Sequence, residues 1–474
     1  SGIDGDGVYI SGTVGSFTNS GTIKGYTGVD VADSGAGVTL TNSGLIQGTA
    51  DGTVLGRAIR FGDGNDTLDL LTGARFGGFV DFAGGVNTLN FSSYRGNLVL
   101  DYAGSLDASD ILPGSNLYVQ KASSGADPAQ VVIVNDTALQ FGSQPVQDLV
   151  NGLTDLLANE FDALGDNGVD EQALNYGPSS HYTAAEQAAN GVVVAPPPVG
   201  GRRVWGSVIG GGSVLDNGDD VRNTYGALVA GTDIELSTGT RVGIVGGYSR
   251  SVLNVANGTQ TITGDTGFLG AYGKSDLGVV RLDYQLIGGA SNNASSRQIS
   301  TSLGTDTATA DYAGWFIAPQ VGATVPVLRV ANGELSVVGR AGYIGGGFSG
   351  YTETGTAYGM TVGAQTVNIL DTYAGVQDAM VIGSTGAGDI TAKAGLGVFT
   401  QTNFDGGTVV PVTVLGINTA GSVAPSGTTY GVVAGFNFDA PFSANASFGA
   451  GANGSIRNDG QFAGAAHVKV SGYY

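Results

Sequence analysis

From Val204 to the end of the chain, apolar and polar residues alternate in segments that Gly, Asn, Asp and Ser separate. The clearest segment places apolar and polar residues on opposite faces: Val280, Leu282, Tyr284 and Leu286 against Arg281, Asp283 and Gln285. A period of two is the pattern of a β-strand with two different faces. An apolar face opposite a charged one is typical of a barrel whose outer surface meets lipid and whose lumen is wet.

Twelve such segments follow one another in this part of the chain. We predict strands at 204–214, 222–237, 240–253, 262–275, 278–292, 307–326, 333–352, 365–383, 386–400, 425–439, 443–457 and 461–474. Bacterial single-chain barrels have even strand numbers, and most of these segments reach the ~9–11 residues that cross a hydrocarbon core. A soluble β-sandwich explains the same alternation, but a charged fraction of only 12% favours the membrane. Residues 203–474 are therefore predicted to form a 12-stranded antiparallel transmembrane β-barrel.

The last predicted strand ends the chain on an aromatic residue. Val468, Val470 and Tyr474 share one of its faces, and His467 and Lys469 share the other. Because side chains alternate between lipid and lumen along a barrel strand, we expect five polar residues to face the lumen. These residues are Arg281, Asp283, Gln285, His467 and Lys469.

The N-terminal part of the chain contains an internal repeat. Residues 17–25 (FTNSGTIKG) recur as 40–48 (LTNSGLIQG), and residues 61–69 (FGDGNDTLD) recur as 82–90 (FAGGVNTLN). Repeats of 20 to 50 residues mark solenoids, in which each repeat buries its apolar face against the next one. Short β-type runs between Asn-Ser-Gly turns predict a right-handed parallel β-helix. We expect four of its residues to stack in the interior: Phe17, Ile23, Leu40 and Ile46.

Beyond about residue 98 the repeat fades, and the segment 98–141 is expected to cap the open end of the solenoid. Helical spacing then appears in Val146, Leu149, Val150, Leu153, Leu156 and Leu157, just after Pro145. A second short helix is expected at 184–190, followed by a stiff Pro-rich linker at 195–201. The chain thus divides into a β-helix with its cap at 1–144, a partly helical linker at 145–202, and the barrel at 203–474.

Composition narrows the classes of partner. The chain contains no Cys, so its stability must come from backbone ladders and burial rather than from disulfides. Most of its net charge of −21 lies in residues 1–200, where Asp and Glu far outnumber Lys and Arg. Because binding to phosphates requires clustered Lys and Arg, nucleic acid is not expected as a partner.

Signals of catalysis are sparse. The chain has only two His residues, His181 and His467. The sequence shows no Ser and Asp arranged around either of them as in a Ser-His-Asp triad. No nucleophile elbow, phosphate-binding loop or zinc-protease motif occurs. We interpret Asn292 and Asn293 as a turn at a strand end. No enzyme activity is therefore expected from these residues.

One segment has the composition of a calcium turn. In residues 62–69, Gly opens the backbone and four residues could supply oxygen ligands: Asp63, Asn65, Asp66 and Asp69. The neighbouring repeat places Asn87 and Asn90 where Asp66 and Asp69 stand, which removes charge. Such sites need stacked copies, so we favour an Asx-rich turn held by side-chain hydrogen bonds and expect no cofactor, with calcium as the alternative.

Three segments together resemble the type Va autotransporters of Gram-negative bacteria. They are the repeats at 17–25 and 40–48, the strand start at 203–206 (RVWG), and the chain end at 468–474. The resemblance implies that the barrel sits in the outer membrane lipid and lets its N-terminal passenger reach the cell surface. It further implies that the linker at 145–202 enters the barrel lumen. It also implies that Val468, Val470 and Tyr474 form the signal for the barrel-assembly machinery, with periplasmic chaperones assisting during biogenesis.

Three functions are weighed. The first is a type V secretion protein whose β-helical passenger is structural or adhesive and binds a surface ligand that the sequence does not identify. The second is a porin-like channel with an N-terminal β-helical decoration. Twelve strands enclose only a narrow lumen that a linker fills, which disfavours this alternative. The third is the carrier of an enzymatic passenger, which would have to lie upstream of Ser1.

Overall fold

The computed structural model describes most of the chain. The described residues are 5–163 and 201–474, apart from gaps at 13, 32–34, 50–55, 115, 125–126, 217–219, 238, 256–257, 331–332, 406–407, 423–426 and 444. Three features expected from the sequence lie outside them: His181, the short helix at 184–190 and the Pro-rich residues 195–200. In the part that is described, the protein is all-β with one long helix.

Short strands make up the N-terminal part, because Gly- and Asn-rich turns interrupt the chain every few residues. They are β1 (Val8–Ile10), β2 (Ser16–Asn19), β3 (Thr22–Gly25), β4 (Val29–Val31), β5 (Thr39–Asn42), β6 (Leu45–Gly48), β7 (Arg57–Arg60), β8 (Thr67–Leu70), β9 (Arg75–Gly77), β10 (Phe79–Asp81), β11 (Thr88–Asn90), β12 (Leu98–Ala103), β13 (Ile111–Leu112), β14 (Leu117–Lys121) and β15 (Ala129–Val134).

Most of these strands belong to three sets of parallel neighbours. The first set runs β2, β5, β8, β11 and β13, and the second runs β3, β6 and β9. The third runs β1, β4, β7, β10 and β12. Polar contacts between successive repeats join residues 23, 28 and 21 positions apart. Buried Asn19 and Asn42, for example, are joined by a hydrogen bond of 2.8 Å from Asn19 Nδ2 to Asn42 Oδ1.

The interior of this part differs in detail from the expected stack. Leu40 and Ile46 are fully buried, whereas Phe17 and Ile23 are only partly buried and pack against the edge of the core. In the parallel ladder, Phe17 lies opposite Leu40, and Leu40 lies opposite Leu68. Leu68 is the next residue in this row because the chain has extra residues between β6 and β7. Phe61 and Phe82 instead stack on each other, with ring centroids 5.5 Å apart.

The parallel sets end in an antiparallel unit. β12 pairs with β15, and β15 pairs with β14 on its other edge. Two helices follow, the single turn α1 (Thr137–Gln140) and the long α2 (Gln144–Ala163). The strands β12, β14 and β15 all lie within the segment 98–141 that was expected to cap the solenoid.

Twelve strands of the described chain close a barrel. They are β16 (Arg202–Leu215), β17 (Val221–Ser237), β18 (Thr240–Val255), β19 (Gln260–Leu277), β20 (Val280–Thr301), β21 (Gly304–Val330), β22 (Gly333–Phe348), β25 (Gln365–Thr385), β26 (Gly388–Asn403), β29 (Gly427–Ser443), β30 (Ala446–Arg457) and β31 (Gln461–Tyr473). Each strand is antiparallel to the next, and β31 pairs with β16 from Gln461↔Leu215 to Tyr473↔Arg203. This last pairing leaves the ring without a free edge.

The two ends of the barrel differ. β16 begins and β31 ends at one end, which we call the terminal end. The opposite end carries the hairpins that follow β16, β18, β20, β22, β26 and β30, and we call it the loop end. Outward-facing positions are rich in exposed apolar side chains, among them Leu228, Leu269 and Val398. The predicted antiparallel barrel of twelve strands is thereby confirmed.

One predicted turn is wrong. Asn292 and Asn293 lie in the middle of β20, which runs nine residues beyond its predicted end at 292. Asn293 stands opposite Gly264 on one side and Tyr312 on the other. Both neighbouring strands continue through this region, and their backbone ladders keep a locally turn-prone sequence extended.

Two of the loop-end hairpins carry a small sheet of their own. It consists of β23 (Tyr351–Thr352), β24 (Met360–Val362), β27 (Val409–Val414) and β28 (Ile417–Ser422). Val362, Val412 and Val414 of this sheet are buried against Val119, Val132 and Val134 of the N-terminal antiparallel unit. The loop end and residues 97–139 are thus packed together.

Candidate functional site in the barrel lumen

Helix α2 occupies the lumen of the barrel. It contacts the inner faces of β16 to β19 and also those of β29 and β31. Its apolar face consists of Val146, Leu149, Val150, Leu153, Leu156 and Leu157, all buried. That face rests on aromatic and aliphatic residues of the first strands, including Trp205, Tyr225 and Phe268.

The sequence of α2 explains both where the helix begins and how closely it packs against the barrel wall. Pro145 lies in the first turn, where a missing N–H costs no intrahelical hydrogen bond. Gly152 touches the wall so closely that a Cβ atom there would come within 2.1 Å of Tyr225 Oη. With 20 residues, the helix is about 30 Å long, which matches the thickness of a hydrocarbon core.

Polar side chains anchor α2 at two levels. Near the loop end, Asp148 accepts hydrogen bonds from Ser213 Oγ at 2.7 Å and from Asn223 Nδ2 at 2.6 Å. Two turns further along, Asp155 accepts one from Asn453 and lies 3.6 Å from Arg340 Nη1. Because the two carboxylates are seven residues apart, they project from the same side of α2, and together they hold the helix to the wall at two depths.

A cavity of about 240 Å³ remains between α2 and the wall. Its lining includes Arg340, Asp371, Lys393 and Asn453 together with small residues of β26, β29 and β31. The helix therefore rests on the apolar part of the lumen wall, and the residual space lies along the polar part.

The five residues expected in the lumen occupy different places. Gln285 and His467 line the cavity, and Gln285 Nε2 donates to Thr154 Oγ1 of α2 at 2.6 Å. Lys469 is buried, with its Nζ atom 3.6 Å from Asp439 Oδ2. Asp283 stands opposite Lys274 in the ladder, and Arg281 Nε lies 3.5 Å from Asp276 Oδ1. The structure brings only Gln285 and His467 to one site.

A buried charge cluster at the terminal end was not predicted. Asp233 Oδ2 accepts hydrogen bonds from Arg203 and Tyr272, and its Oδ1 accepts one from Arg241 at 2.8 Å. Trp205 Nε1 donates to Tyr272 Oη at 2.6 Å. The sequence did indicate part of this cluster, because residue alternation along the two strands places Arg203, Trp205 and Asp233 on their inner faces. Their pairing, however, depends on the strand register.

The residues of the candidate calcium turn point in separate directions. Asn65 Oδ1 accepts the Val86 N–H at 2.8 Å, and Asp69 Oδ1 accepts Asn90 Nδ2 at 2.9 Å. Asp63 Oδ1 lies beside Gly84, 3.0 Å from where a Cβ atom there would stand. Within the described residues, no three His, Asp or Glu side chains come together as a metal site. The Asx-rich turn stays the prediction, with calcium binding as its alternative.

Asp66 differs from its neighbours in being buried with an unused oxygen. It is 1% exposed, and its Oδ1 accepts the Val38 N–H at 2.7 Å. Its Oδ2 is buried without a hydrogen-bond partner. Burial raises the pKa of the Asp66 carboxyl above its ordinary value, and the hydrogen bond from Val38 offsets part of that rise.

The predicted assembly signal lies on the last strand. Val468 and Val470 are about half exposed on the outer face, and Tyr474 follows the strand end. Tyr474 exchanges backbone hydrogen bonds with Arg202, so the chain end is held against the first strand. Its role in assembly stays a prediction.

The closed ring, its apolar outer face and its polar, helix-filled lumen define an outer-membrane β-barrel protein. None of the helices that the structure describes is long and apolar enough to span a membrane. The family model of the autotransporter β-domain matches residues 204–453, more than half of the chain. The chain belongs to the autotransporter family and is an outer-membrane protein of type V secretion.

Three solved structures illustrate the similarity. The translocator domain of autotransporter NalP from Neisseria meningitidis matches with a TM-score of 0.47 at 18% identity, over 63% of this chain and 99% of that one. The β-domain of the Bordetella autotransporter BrkA gives 0.46 at 15%, over 58% and 100%. The transport unit of autotransporter AIDA-I from Escherichia coli gives 0.39 at 13%, over 65% and 99%. No curated protein sequence matches the chain.

Proposed function

We propose that the barrel holds residues 5–141 at the surface of a Gram-negative cell, where they form a right-handed parallel β-helix with a structural or adhesive role. The observation that carries this proposal is the path of α2. The chain before α2 packs on the loop end, where Ala138 and Phe141 contact Leu215 and Val255. The barrel strands begin and end at the terminal end. Outer-membrane barrels have short periplasmic turns and longer extracellular loops, and the long hairpins after β22 and β26 lie at the loop end. The N-terminal part that packs on this end therefore lies outside the cell.

The β-helix is supported by the order of the three parallel sets. Successive strands along the chain belong to different sets, and each set receives its next strand after 21 to 30 residues. Apolar side chains from all three sets, such as Leu40, Ile46 and Val80, meet in one core. This is the arrangement of a coil that adds one strand to each face per turn, and connections between parallel strands are right-handed in most proteins.

A structural or adhesive role agrees with the outward surface of this part. Ser16, Thr39, Thr67 and Thr88 lie opposite one another in adjacent strands. Such a row repeats polar groups at the strand spacing of about 4.8 Å, which suits an extended ligand or a stacked copy. The proposed ligand is defined only by its fit to this repeat of polar groups. Binding of this kind requires no catalytic side chain.

A porin-like channel is the weaker alternative. An open pore needs a continuous aqueous path, whereas α2 fills the lumen over a length that matches the hydrocarbon core. The observation in its favour is the polar cavity of about 240 Å³ beside the helix. We therefore expect small, intermittent currents from the whole protein in planar bilayers. A large steady current would favour the channel.

The orientation can be tested with single cysteines, because the chain has none of its own. Val86→Cys places a thiol on an exposed turn of the N-terminal part, where Val86 is 62% exposed. Gly386→Cys is the matched control at the terminal end, where a new Cβ atom meets nothing within 4 Å. We expect a membrane-impermeant maleimide to label Val86→Cys on intact cells, and Gly386→Cys only after the outer membrane is permeabilised. The reverse pattern would overturn the proposal.

A further inference from the structure

The loop end of the barrel and the last strands of the N-terminal part share one apolar core. Residues 97–139 contribute Val99, Val119, Val132, Val134 and Leu139, and the barrel side contributes Ile299, Ala308, Met360, Val362, Val410, Val412 and Val414. We call this set the docking core. All of its members are at most 4% exposed. It therefore has the character of a domain interior rather than that of a wet, transient contact.

A buried ion pair lies beside the docking core. Arg297 of β20 is 0% exposed, and its Nε donates to Glu353 Oε1 at 3.1 Å. Glu353 is 5% exposed, and its Oε2 accepts the Met360 N–H at 2.8 Å. Both charged groups belong to the barrel side. Arg297 also contacts the N-terminal part, through Asn97.

The N-terminal part also completes the hydrogen bonding of this pair. Asn97 Oδ1 accepts a hydrogen bond from Arg297 Nη1 at 3.3 Å, and Asn97 Nδ2 donates to the Gln298 carbonyl at 3.1 Å. The Ser300 N–H donates to the Asn97 carbonyl at 3.0 Å, which aligns β12 with β20. Asn97 thus bridges the two halves through three polar groups.

A second bridge lies at the rim of the docking core. Gln130 Nε2 donates to Tyr358 Oη at 3.2 Å, and Ser302 Oγ donates to Asp101 Oδ2. Both bonds join residues more than 190 positions apart in sequence. The contact therefore combines a dry apolar centre, a buried ion pair and polar bonds around the edge, the composition of a stable protein–protein interface.

We propose that the loop end is a binding site for residues 97–139 and that it retains the N-terminal part without a covalent link. After a cut between this part and α2, the fragment would stay on the cell. Separation would expose the docking core to water and remove the hydrogen bond between Asn97 and Arg297. The proposal rests on the proposed display of residues 5–141 outside the cell.

The test uses the full chain with a protease recognition sequence, flanked by flexible residues, inserted between Gly142 and Ser143. This point separates the docked part from α2, which stays with the barrel fragment. Intact cells are treated with the protease, washed, and separated from the medium. Cleavage on intact cells tests display, and the location of the cut fragment tests retention, so the two failures are distinguishable.

Three variants assign any retention to this surface. Arg297→Met leaves the Glu353 carboxylate buried and unpaired, and we expect the cut fragment to be released about tenfold faster than from the parent. Arg297→Met combined with Glu353→Leu replaces the pair by apolar groups and should restore slow release. Arg457→Met is the matched control, because Arg457 pairs with Asp459 in another loop-end hairpin, outside the docking core.

Prompt appearance of the cut fragment from the parent chain in the medium would overturn the proposal. So would equal release rates for Arg297→Met and the parent, because retention would then arise elsewhere. Heat-dependent migration of each barrel fragment on electrophoresis checks that every variant barrel is folded. If Arg297→Met does not assemble, Val412→Ala takes its place, since it removes only two methyl groups from the docking core.

Discussion

Two buried carboxylates illustrate how differently this chain treats negative charge. Asp233 uses both oxygens, because Arg203, Arg241 and Tyr272 all donate to it. Asp66 uses one oxygen and leaves the other without a donor. In the next repeat Asn87 stands at the corresponding position, and its Nδ2 donates to two carbonyls, each at 2.8 Å. The amide thus does what the Asp66 carboxylate cannot.

Asp66→Asn should therefore stabilise the N-terminal part. The new side chain would keep the hydrogen bond from Val38. Its amide group would also donate to backbone carbonyls of its own turn, as Asn87 does to those of Phe82 and Gly84. Relief of one unsatisfied buried group is worth about 1 kcal/mol. Slower amide hydrogen exchange at Val38 and Thr67 measures the gain. Asn87→Asp is the matched control, with the opposite sign expected.

The same substitution has a predictable pH dependence. Because burial raises the pKa of Asp66 in the folded protein, protonation favours folding, and the parent loses stability as the pH rises through the folded pKa. The Asn variant does not titrate. Its advantage should be largest at neutral pH and shrink as the pH falls towards the ordinary Asp value of about 3.9. An advantage that is independent of pH would contradict this account.

Removal of Asp233 should have a larger effect. Asp233→Leu leaves Arg203 and Arg241 facing each other without their shared carboxylate, and we expect a loss of about 3–5 kcal/mol. The urea concentration that unfolds the barrel in detergent measures the loss. Asp265→Leu is the control, because the Asp265–Arg250 pair is exposed and such pairs contribute little. A similar loss in both variants would argue against a special role of the buried cluster.

At the scale of single residues, the sequence predicted the strand face on which a side chain lies better than it predicted the residues that the side chain contacts. Alternation placed His467 and Gln285 on the lumen side, where both line the cavity. It did not predict that Arg203 meets Asp233, because those residues are 30 positions apart and meet only through the register of β16 and β17. The same limitation explains the unexpected contact of Asn97 with Arg297.

At the level of elements, α2 depends on a close fit as well as on apolar spacing. A helix usually loses stability with Gly in its interior, by about 1 kcal/mol relative to Ala. Gly152 is tolerated because the Tyr225 hydroxyl occupies the space that a Cβ atom would need. The apolar side chains on either side of it can then reach the wall.

Gly152→Val should displace α2 from its position against the barrel wall. Overpacking of this kind costs roughly 1–3 kcal/mol. We expect longer and larger openings in planar bilayers, and partial recovery when Tyr225→Phe is added. Val432→Ala, on the outer face of the barrel and away from the lumen, is the control and should leave the conductance unchanged. Unaltered currents in Gly152→Val would show that the close contact does not set the position of the helix.

The bounds of most long strands were predictable to within a few residues, with β20 as the exception, and those of short strands were not. Strand β17 runs from Val221 to Ser237, one residue from its predicted start at 222, because a long alternating segment between turns has one plausible extent. Strands β23 and β24 have only 2 and 3 residues, too few to show a period. They exist because β27 and the N-terminal part pack against them.

At the scale of the whole molecule, three segments predicted to be separate along the chain meet in space. Residues 97–139, the hairpin after β22 and the hairpin after β26 share the docking core. Alternation and repeats describe neighbours in sequence, so they carry no information about contacts across 200 residues or more. The docking of the two halves was therefore beyond prediction from the sequence.

The shared core implies shared stability. Val412→Ala removes two methyl groups at a fully buried position of β27, a loss of roughly 1.5 kcal/mol. We expect amide exchange to quicken about tenfold in β15 as well as in β27. Val432→Ala, on the outer face of the barrel, is the control of equal size and should affect neither strand. If only β27 responds, the two halves unfold independently.

The pairing of β31 with β16 gives the length of the chain a role in quality control. Strand β31, which closes the ring, follows the other eleven barrel strands along the chain and is 13 residues long. A chain that stops short of it would leave two strand edges bare, and bare backbone groups cost several kcal/mol each in hydrocarbon. A barrel that lacks β31 therefore cannot settle in the bilayer, and the ring closes around α2 only when this strand is present.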